Sequence, residues 1–169
     1  ASPGPASYGH GGKDATVTDA NCVLGRVSPS EFMPSGLNLN KNFALKAINK
    51  NVAYRLKINH LKAASGIIEI CNLKMANAVR SITIERGLDP ADFTLCAYGG
   101  AGPMHACWIA KQLGIPRVLI PIAPGQFSAL GILLSQIRHD LVRTISSNLS
   151  YEKIENIFKQ MFREAKRLV

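Results

Sequence analysis

The chain reads as an α/β protein in which long helices pack on a short, mainly parallel sheet. Two stretches predict this. Residues 93–120 run apolar segment, glycine turn, helix, apolar segment, the order of two parallel strands joined by a crossover of the usual length. Residues 42–86 carry apolar side chains at helical spacing in two long segments, more helix than a small all-β domain contains.

In chain order, residues 1–18 are glycine-rich and irregular, with Gly4, Gly9, Gly11 and Gly12 around Tyr8 and His10. That density suits a backbone that bends tightly or approaches a ligand closely. A short helical turn is expected from Thr18 through Leu24, capped by Thr18 or Asp19 and ended by Gly25. A loop follows from Ser28 to Gly36. Phe43, Ala47, Ile48, Val52 and Leu56 predict a helix over 42–57. Leu61, Ala64, Ile68, Cys71, Met75, Val79 and Ile82 predict a central helix over 60–86, closed by Gly87 and stopped by Pro90. Residues 93–98 form an apolar run expected to be a strand buried on both faces. A helix from about Met104 to Leu113 then leads to a strand at Arg117–Ile120. A short helix over 126–134 and an edge strand or extended arm over 138–146 precede an amphipathic helix from Tyr151. Its apolar stripe needs a surface to dock on. The expected division is a main domain over 1–146 and a terminal amphipathic helix over 147–169.

A length of 169 residues allows one ordinary domain, and 47% hydrophobic with 18% charged residues fits a globular chain. No apolar run reaches the roughly 20 residues of a membrane span. Ala1–His10 has neither a basic nor an apolar stretch, so no secretory leader is expected there. Cys22, Cys71, Cys96 and Cys107 form no Cys-x-x-Cys pair and sit among apolar neighbours. They read as scattered buried thiols in a reducing cytoplasm. Much of the +9 net charge lies between Lys41 and Arg86, where nine Lys and Arg face only Glu69 and Glu85. With only Phe43 and Tyr54 interleaved, this is a solvated basic face or a surface for an acidic partner subunit. Nucleic acid is not the expected partner.

Three places hold chemistry-bearing residues. Gly99, Gly100 and Gly102 form a strand-to-helix turn, where a parallel sheet gathers ligands and a helix N-terminus favours an anion. A turn that merely packs a helix on a sheet has the same spacing. His105, in the first turn of that helix, either faces the ligand or is satisfied by a nearby carbonyl. Asp19 and Asn21 offer oxygens for magnesium or a positioned water, and Asp19 equally suits a helix cap. No nucleophile elbow, no phosphate-binding Gly-Lys-Ser/Thr and no metalloprotease helix is present.

Four stretches together resemble the hydantoinase A/5-oxoprolinase family. They are Gly4-Pro5-Ala6-Ser7-Tyr8-Gly9-His10-Gly11-Gly12 with Thr16-Val17-Thr18-Asp19-Ala20-Asn21-Cys22-Val23-Leu24-Gly25-Arg26; Glu85-Arg86-Gly87 with Asp89-Pro90; Gly99-Gly100-Ala101-Gly102-Pro103-Met104-His105-Ala106; and Pro124-Gly125-Gln126-Phe127-Ser128-Ala129-Leu130-Gly131. They fall in order across roughly residues 4–140. The resemblance implies part of an actin-like ATPase (ribonuclease H-like) domain. In that family ATP activates an amide or enolate oxygen by phosphorylation, and hydrolysis of a cyclic amide or carboxylation follows.

On this view Gly99, Gly100 and Gly102 receive the adenosine portion of ATP, and Asn21 faces the cleft. Asp19 and His105 become the catalytic candidates, with Asp19 also beside a divalent magnesium or manganese ion. The family's Asp-x-Gly-Gly-Thr phosphate loops are missing from this sequence, so an upstream half carrying them and a hydantoinase B-like subunit are the implied partners. The chain alone is expected to be inactive. The alternatives are a non-catalytic module acting by protein–protein interaction and a related carboxylase subunit. Ser7 stands where many members have Cys, Asp14-Ala15 replaces a frequent proline, and Met33-Pro34-Ser35-Gly36-Leu37 lacks an expected glycine pair.

Overall fold

The structure, a computed structural model, describes residues 2–28, 39–136, 138–145 and 150–168. The chain forms two compact units, Ala1–Phe127 and Ser128–Val169. The 28–36 loop, apart from Ser28, lies outside the described residues, as does the 33–37 stretch.

In the larger unit the glycine-rich segment makes a single 3-10 turn, Ala6–Tyr8, closed by Gly9 at φ 74°. Helix α1 (Val17–Val23) is capped by Thr16 rather than by Thr18 or Asp19. Thr16 sits in an extended conformation, and its Oγ1 accepts the Asp19 N–H at 3.2 Å. The Asp19 carboxylate in return accepts the Thr16 N–H at 3.0 Å. This reciprocal Thr-x-x-Asp box satisfies donors at both ends of the first turn, an arrangement that Thr18 has no carboxylate to match.

The helix expected over 42–57 is three pieces: α2 (Lys41–Ile48), a π turn (Asn49–Ala53) and the short α3 (Tyr54–Leu56), ended by Lys57 in the left-handed region. Asn40 caps α2 by accepting the N–H groups of Asn42 and Phe43. Helix α4 (His60–Ile82) is capped by Asn59 and ends four residues before the expected 86. Thr83 leaves helical geometry, a 3-10 turn occupies Ile84–Arg86, and Gly87 closes it at φ 76°.

Helix α4 spans two apolar clusters. Its first half packs with α1 and α2 through Ala20, Ala44, Ile48, Ala64 and Ile68, all at most 2% exposed. The small side chains let these helix axes approach closely. Its second half meets α5 (Gly102–Leu113) through Ala76, Ile109, Ala110 and Leu113, with Trp108 and Val118 against them.

Strands β1 (Thr94–Cys96) and β2 (Arg117–Leu119) pair in parallel, Thr94 opposite Arg117 and Cys96 opposite Leu119. The expected right-length crossover is therefore present. Burial on both faces is not: Leu95 and Val118 turn toward the α4–α5 cluster, while Thr94, Cys96 and Leu119 are exposed. Alternation along a strand sends every second side chain to the opposite face, and no element of the larger unit packs on that face. The cysteines follow the same logic. Cys22 is buried and Cys71 half-buried, but Cys96 and Cys107 are exposed, so the expectation of four buried thiols is corrected.

Helix α6 (Phe127–Leu134) follows a 3-10 turn at Pro124–Gln126 and leaves Ile132, Leu133 and Leu134 more than 70% exposed. In the smaller unit, residues 138–145 join no strand and run as an extended arm. The arm meets helix α7 (Tyr151–Leu168) through the Arg143–Glu164 ion pair at 2.7 Å. Ile154, Ile157, Met161 and Ala165 are half-buried, whereas Phe158 and Phe162 on the same helix stay exposed. No helix among the described residues is long and apolar enough to cross a membrane.

Close α1–α4 packing leaves no room for added methylenes at Ala64, which is 0% exposed. Ala64→Leu is expected to destabilise the chain by about 2 kcal/mol, read as a lower urea midpoint with an unchanged slope.

Candidate functional site

Strand β1 hands the chain to its glycine turn under tight backbone control. Ala97 N–H donates to Leu119 O at 2.9 Å, and Gly99 N–H donates to Pro124 O at 2.8 Å. Tyr98 between them meets the Phe127 ring with centroids 5.4 Å apart. Gly99 has φ 85°, a conformation that side chains strongly disfavour. A Cβ added at Gly99 or Gly100 would meet no atom within 4 Å, and one at Gly102 only the Ala97 carbonyl carbon at 4.0 Å. The turn is thus bare main chain facing open space, not a glycine seam pressed under other side chains. Helix α5 starts directly from it with Pro103 in its first turn and no side chain capping its N-terminus. Pro103 has no N–H and Met104 N–H donates to Ala101 O at 3.1 Å, so the Gly102 N–H and the helix dipole are what this end offers a ligand acceptor.

His105 is two residues beyond Pro103 in α5 and turned inward, 4% exposed. Its Nδ1 lies 2.6 Å from Oδ1 of Asn72 on α4. With an amide oxygen opposite, Nδ1 carries the proton and Nε2 keeps its lone pair. Burial first, and the Arg26 guanidinium second, push the imidazole below its ordinary pKa of 6.5. The ring is therefore held neutral at pH 7 and satisfied by a side-chain amide in place of a backbone carbonyl.

Asp19 is 0% exposed. Oδ1 accepts the Ser7 N–H at 2.7 Å. Oδ2 accepts the Ala6 N–H at 3.3 Å, the Thr16 N–H at 3.0 Å and the Thr16 hydroxyl at 2.7 Å. Its carboxylate thereby ties the 6–8 turn to the start of α1. Beside it, burial and the Asp19 charge push the Cys22 thiol up, against a smaller lowering by Lys41. Asn21 is 2% exposed, and its Oδ1 and the Ser7 hydroxyl have no hydrogen-bond partner among the described residues. A buried acceptor left in that state costs roughly 1–3 kcal/mol.

The structure joins Arg26, Asn72 and His105 into one neighbourhood. Among the described residues no hydrogen bond links Asp19 or Asn21 to the glycine turn, and no group of three His, Cys, Asp or Glu gathers as a metal site. Asn72 escaped sequence reasoning, and Ser7 and Arg26 were noted within the first motif without a role in the site. Asn72 sits on the buried stripe of a long helix, and a lone Asn among apolar neighbours was the available signal.

The hydantoinase/oxoprolinase family model matches residues 1–141. The chain is 41% identical to the caprolactamase α subunit of Pseudomonas jessenii over 155 residues, covering 92% of this chain and 22% of that one. It is 41% identical to the acetophenone carboxylase γ subunit of Aromatoleum aromaticum over 138 residues, covering 81% of this chain and 18% of that one. The crystal structure of the ATP-dependent caprolactamase from Pseudomonas jessenii superposes with TM-score 0.74 and 37% identity, over 99% of this chain and 25% of that chain. The chain thus spans about a quarter or less of the length of these relatives. With the matched residues and the superposed α/β architecture in agreement, the chain belongs to the hydantoinase/oxoprolinase family.

Proposed function

We propose that this chain is a segment of an ATP-dependent cyclic amidase of the hydantoinase/5-oxoprolinase type and supplies the adenosine side of its nucleotide site. One observation carries the reading: a turn of bare, open backbone at the carboxyl end of a parallel strand, running straight into an uncapped helix N-terminus. A planar ring can lie against Gly99 and Gly100 where any Cβ would stand in its way. ATP, when bound, supplies phosphoryl activation of the amide oxygen.

The chain's own residues then have distinct tasks. Gly99, Gly100 and Gly102 admit the ring, and the positive end of the α5 dipole favours negative charge near it. His105, fixed by Asn72, presents a neutral Nε2 as an acceptor at the base of that helix. Asn21 holds a buried Oδ1 still in need of a donor. Asp19 acts by positioning, because its oxygens already receive four protein donors. The residues do not fit a resident divalent metal. An ion travelling with the ATP phosphates meets Asp19 only if the 6–8 and Thr16 donors release it. The phosphate loops belong to another part of the protein or to a partner, and the uncovered face of the β1–β2 pair is a natural place for further sheet or helix. A second reading, a carboxylase subunit, is favoured by the acetophenone carboxylase relative; product analysis with a lactam or a ketone as substrate separates the two.

Titration of the chain alone with ATP is expected to show no turnover. Addition of a polypeptide carrying Asp-x-Gly-Gly-Thr loops should restore nucleotide binding, and Gly100→Leu should then weaken it at least tenfold. Unchanged affinity in that variant removes the turn from the site.

Asp19→Asn is expected to cost about 3 kcal/mol of stability, since it sets an amide N–H₂ against backbone donors; equilibrium unfolding of the full chain reads this. Loss of nucleotide binding without loss of stability would instead indicate direct ligand contact.

His105 gives a pH signature. Unfolded, the ring gains a proton near pH 6.5; folded, it resists until lower pH. Its contribution is therefore fully present above about 6.5 and is lost as pH falls through the depressed folded value. His105→Gln should flatten the acid side of the stability profile, and nitrogen-15 NMR of the wild type at pH 7 should show a neutral, Nδ1-protonated ring.

A further inference from the structure

A small cleft of about 210 Å³ opens between the glycine-rich segment and α2, lined by Ala6, Gly12, Lys13, Phe43, Lys46, Ala47 and Lys50. It contains no part of the glycine turn at 99–102 and stands independently of the nucleotide reading. Its floor is apolar, from Ala6, Ala47 and the Phe43 ring, and its cations come from both walls. Lys46 and Lys50 stand four residues apart on one helix face, a spacing at which like charges repel. Lys13, on the glycine-rich segment, adds a third cationic residue to the lining. The ion pairs among the described residues are Arg138–Asp140, Arg143–Glu164 and Lys159–Glu155, and none neutralises these lysines.

The glycine wall is stiff. Asp19 holds the Ala6 and Ser7 amides, and Asn51 Nδ2 donates to Lys13 O at 2.8 Å. Gly12 is folded so tightly on the preceding segment that an added Cβ would collide with Gly4 O. A concavity with one fixed backbone wall and three lysines on an otherwise apolar lining favours an oxyanion.

We propose that this cleft is a binding site for a compact anion, a phosphate or a small carboxylate, coordinated by Lys13, Lys46 and Lys50 against Phe43. The experiment is an NMR titration of the full 169-residue chain with inorganic phosphate and, separately, with benzoate, at ionic strength fixed with chloride. Saturable shifts at the Gly12, Lys13 and Ala47 amides are expected. The Lys46→Gln/Lys50→Gln double variant should bind at least tenfold more weakly with an unchanged circular dichroism spectrum. Lys62→Gln/Lys74→Gln, which removes two cations from α4, should bind as the wild type does. Tighter benzoate binding identifies an organic carboxylate that uses the apolar floor, and tighter phosphate a phosphoryl group; either supports the site. Shifts that never saturate, or equal weakening in the two double variants, would overturn it by reducing the effect to the general positive field.

Discussion

A single buried carboxylate holds the larger unit in its working arrangement. Asp19 closes the capping box of α1 and, in the same act, pulls in the Ala6 and Ser7 amides from a segment twelve and thirteen residues away. A glycine-rich stretch has little apolar surface and much backbone freedom, so hydrophobic burial alone fixes it poorly. Charge-assisted bonds to its amides supply the order instead. Once the turn is fixed, Ser7 O accepts the Asn40 N–H at 2.7 Å, which sets the start of α2. The alanine-lined contacts of α1, α2 and α4 follow from that placement.

The second constraint is an incompleteness built into the sheet. Two three-residue parallel strands with one face covered and one open are not a self-sufficient layer. The glycine turn beside it is open as well, since a Cβ at Gly99 or Gly100 would meet no atom within 4 Å. Leu119 and Ile122 are exposed in the same region. That agrees with a chain that covers a quarter or less of its relatives.

Polar groups in the interior are arranged with unequal completeness. Asp19 is fully satisfied, and His105 is satisfied on one nitrogen by Asn72. Asn21 Oδ1 and Ser7 Oγ have no partner among the described residues. In a low-dielectric interior such differences matter: a satisfied group fixes geometry, whereas an orphan acceptor is a place where a donor from outside is worth most. The lysine cleft beside the glycine-rich segment extends the pattern to the surface, with cations that no ion pair among the described residues neutralises.

Much of the architecture was legible in the residues. Helical spacing located α2, α4 and α7, Gly25 and Gly114 marked where α1 and α5 stop, and the strand–glycine–helix order gave the parallel pair. These are local matters, decided by backbone freedom and by which side chains share a face. The motifs at 4–26 and 99–106 were sufficient to point to the family. What the sequence left open was which partner each polar group chose: whether Asp19 met an ion or backbone amides, whether His105 met a carbonyl or Asn72, and whether the strands and cysteines were covered. Those choices pair residues twelve to thirty-three positions apart, or depend on neighbouring elements, so only the packing of α1, α4 and α5 in space could make them.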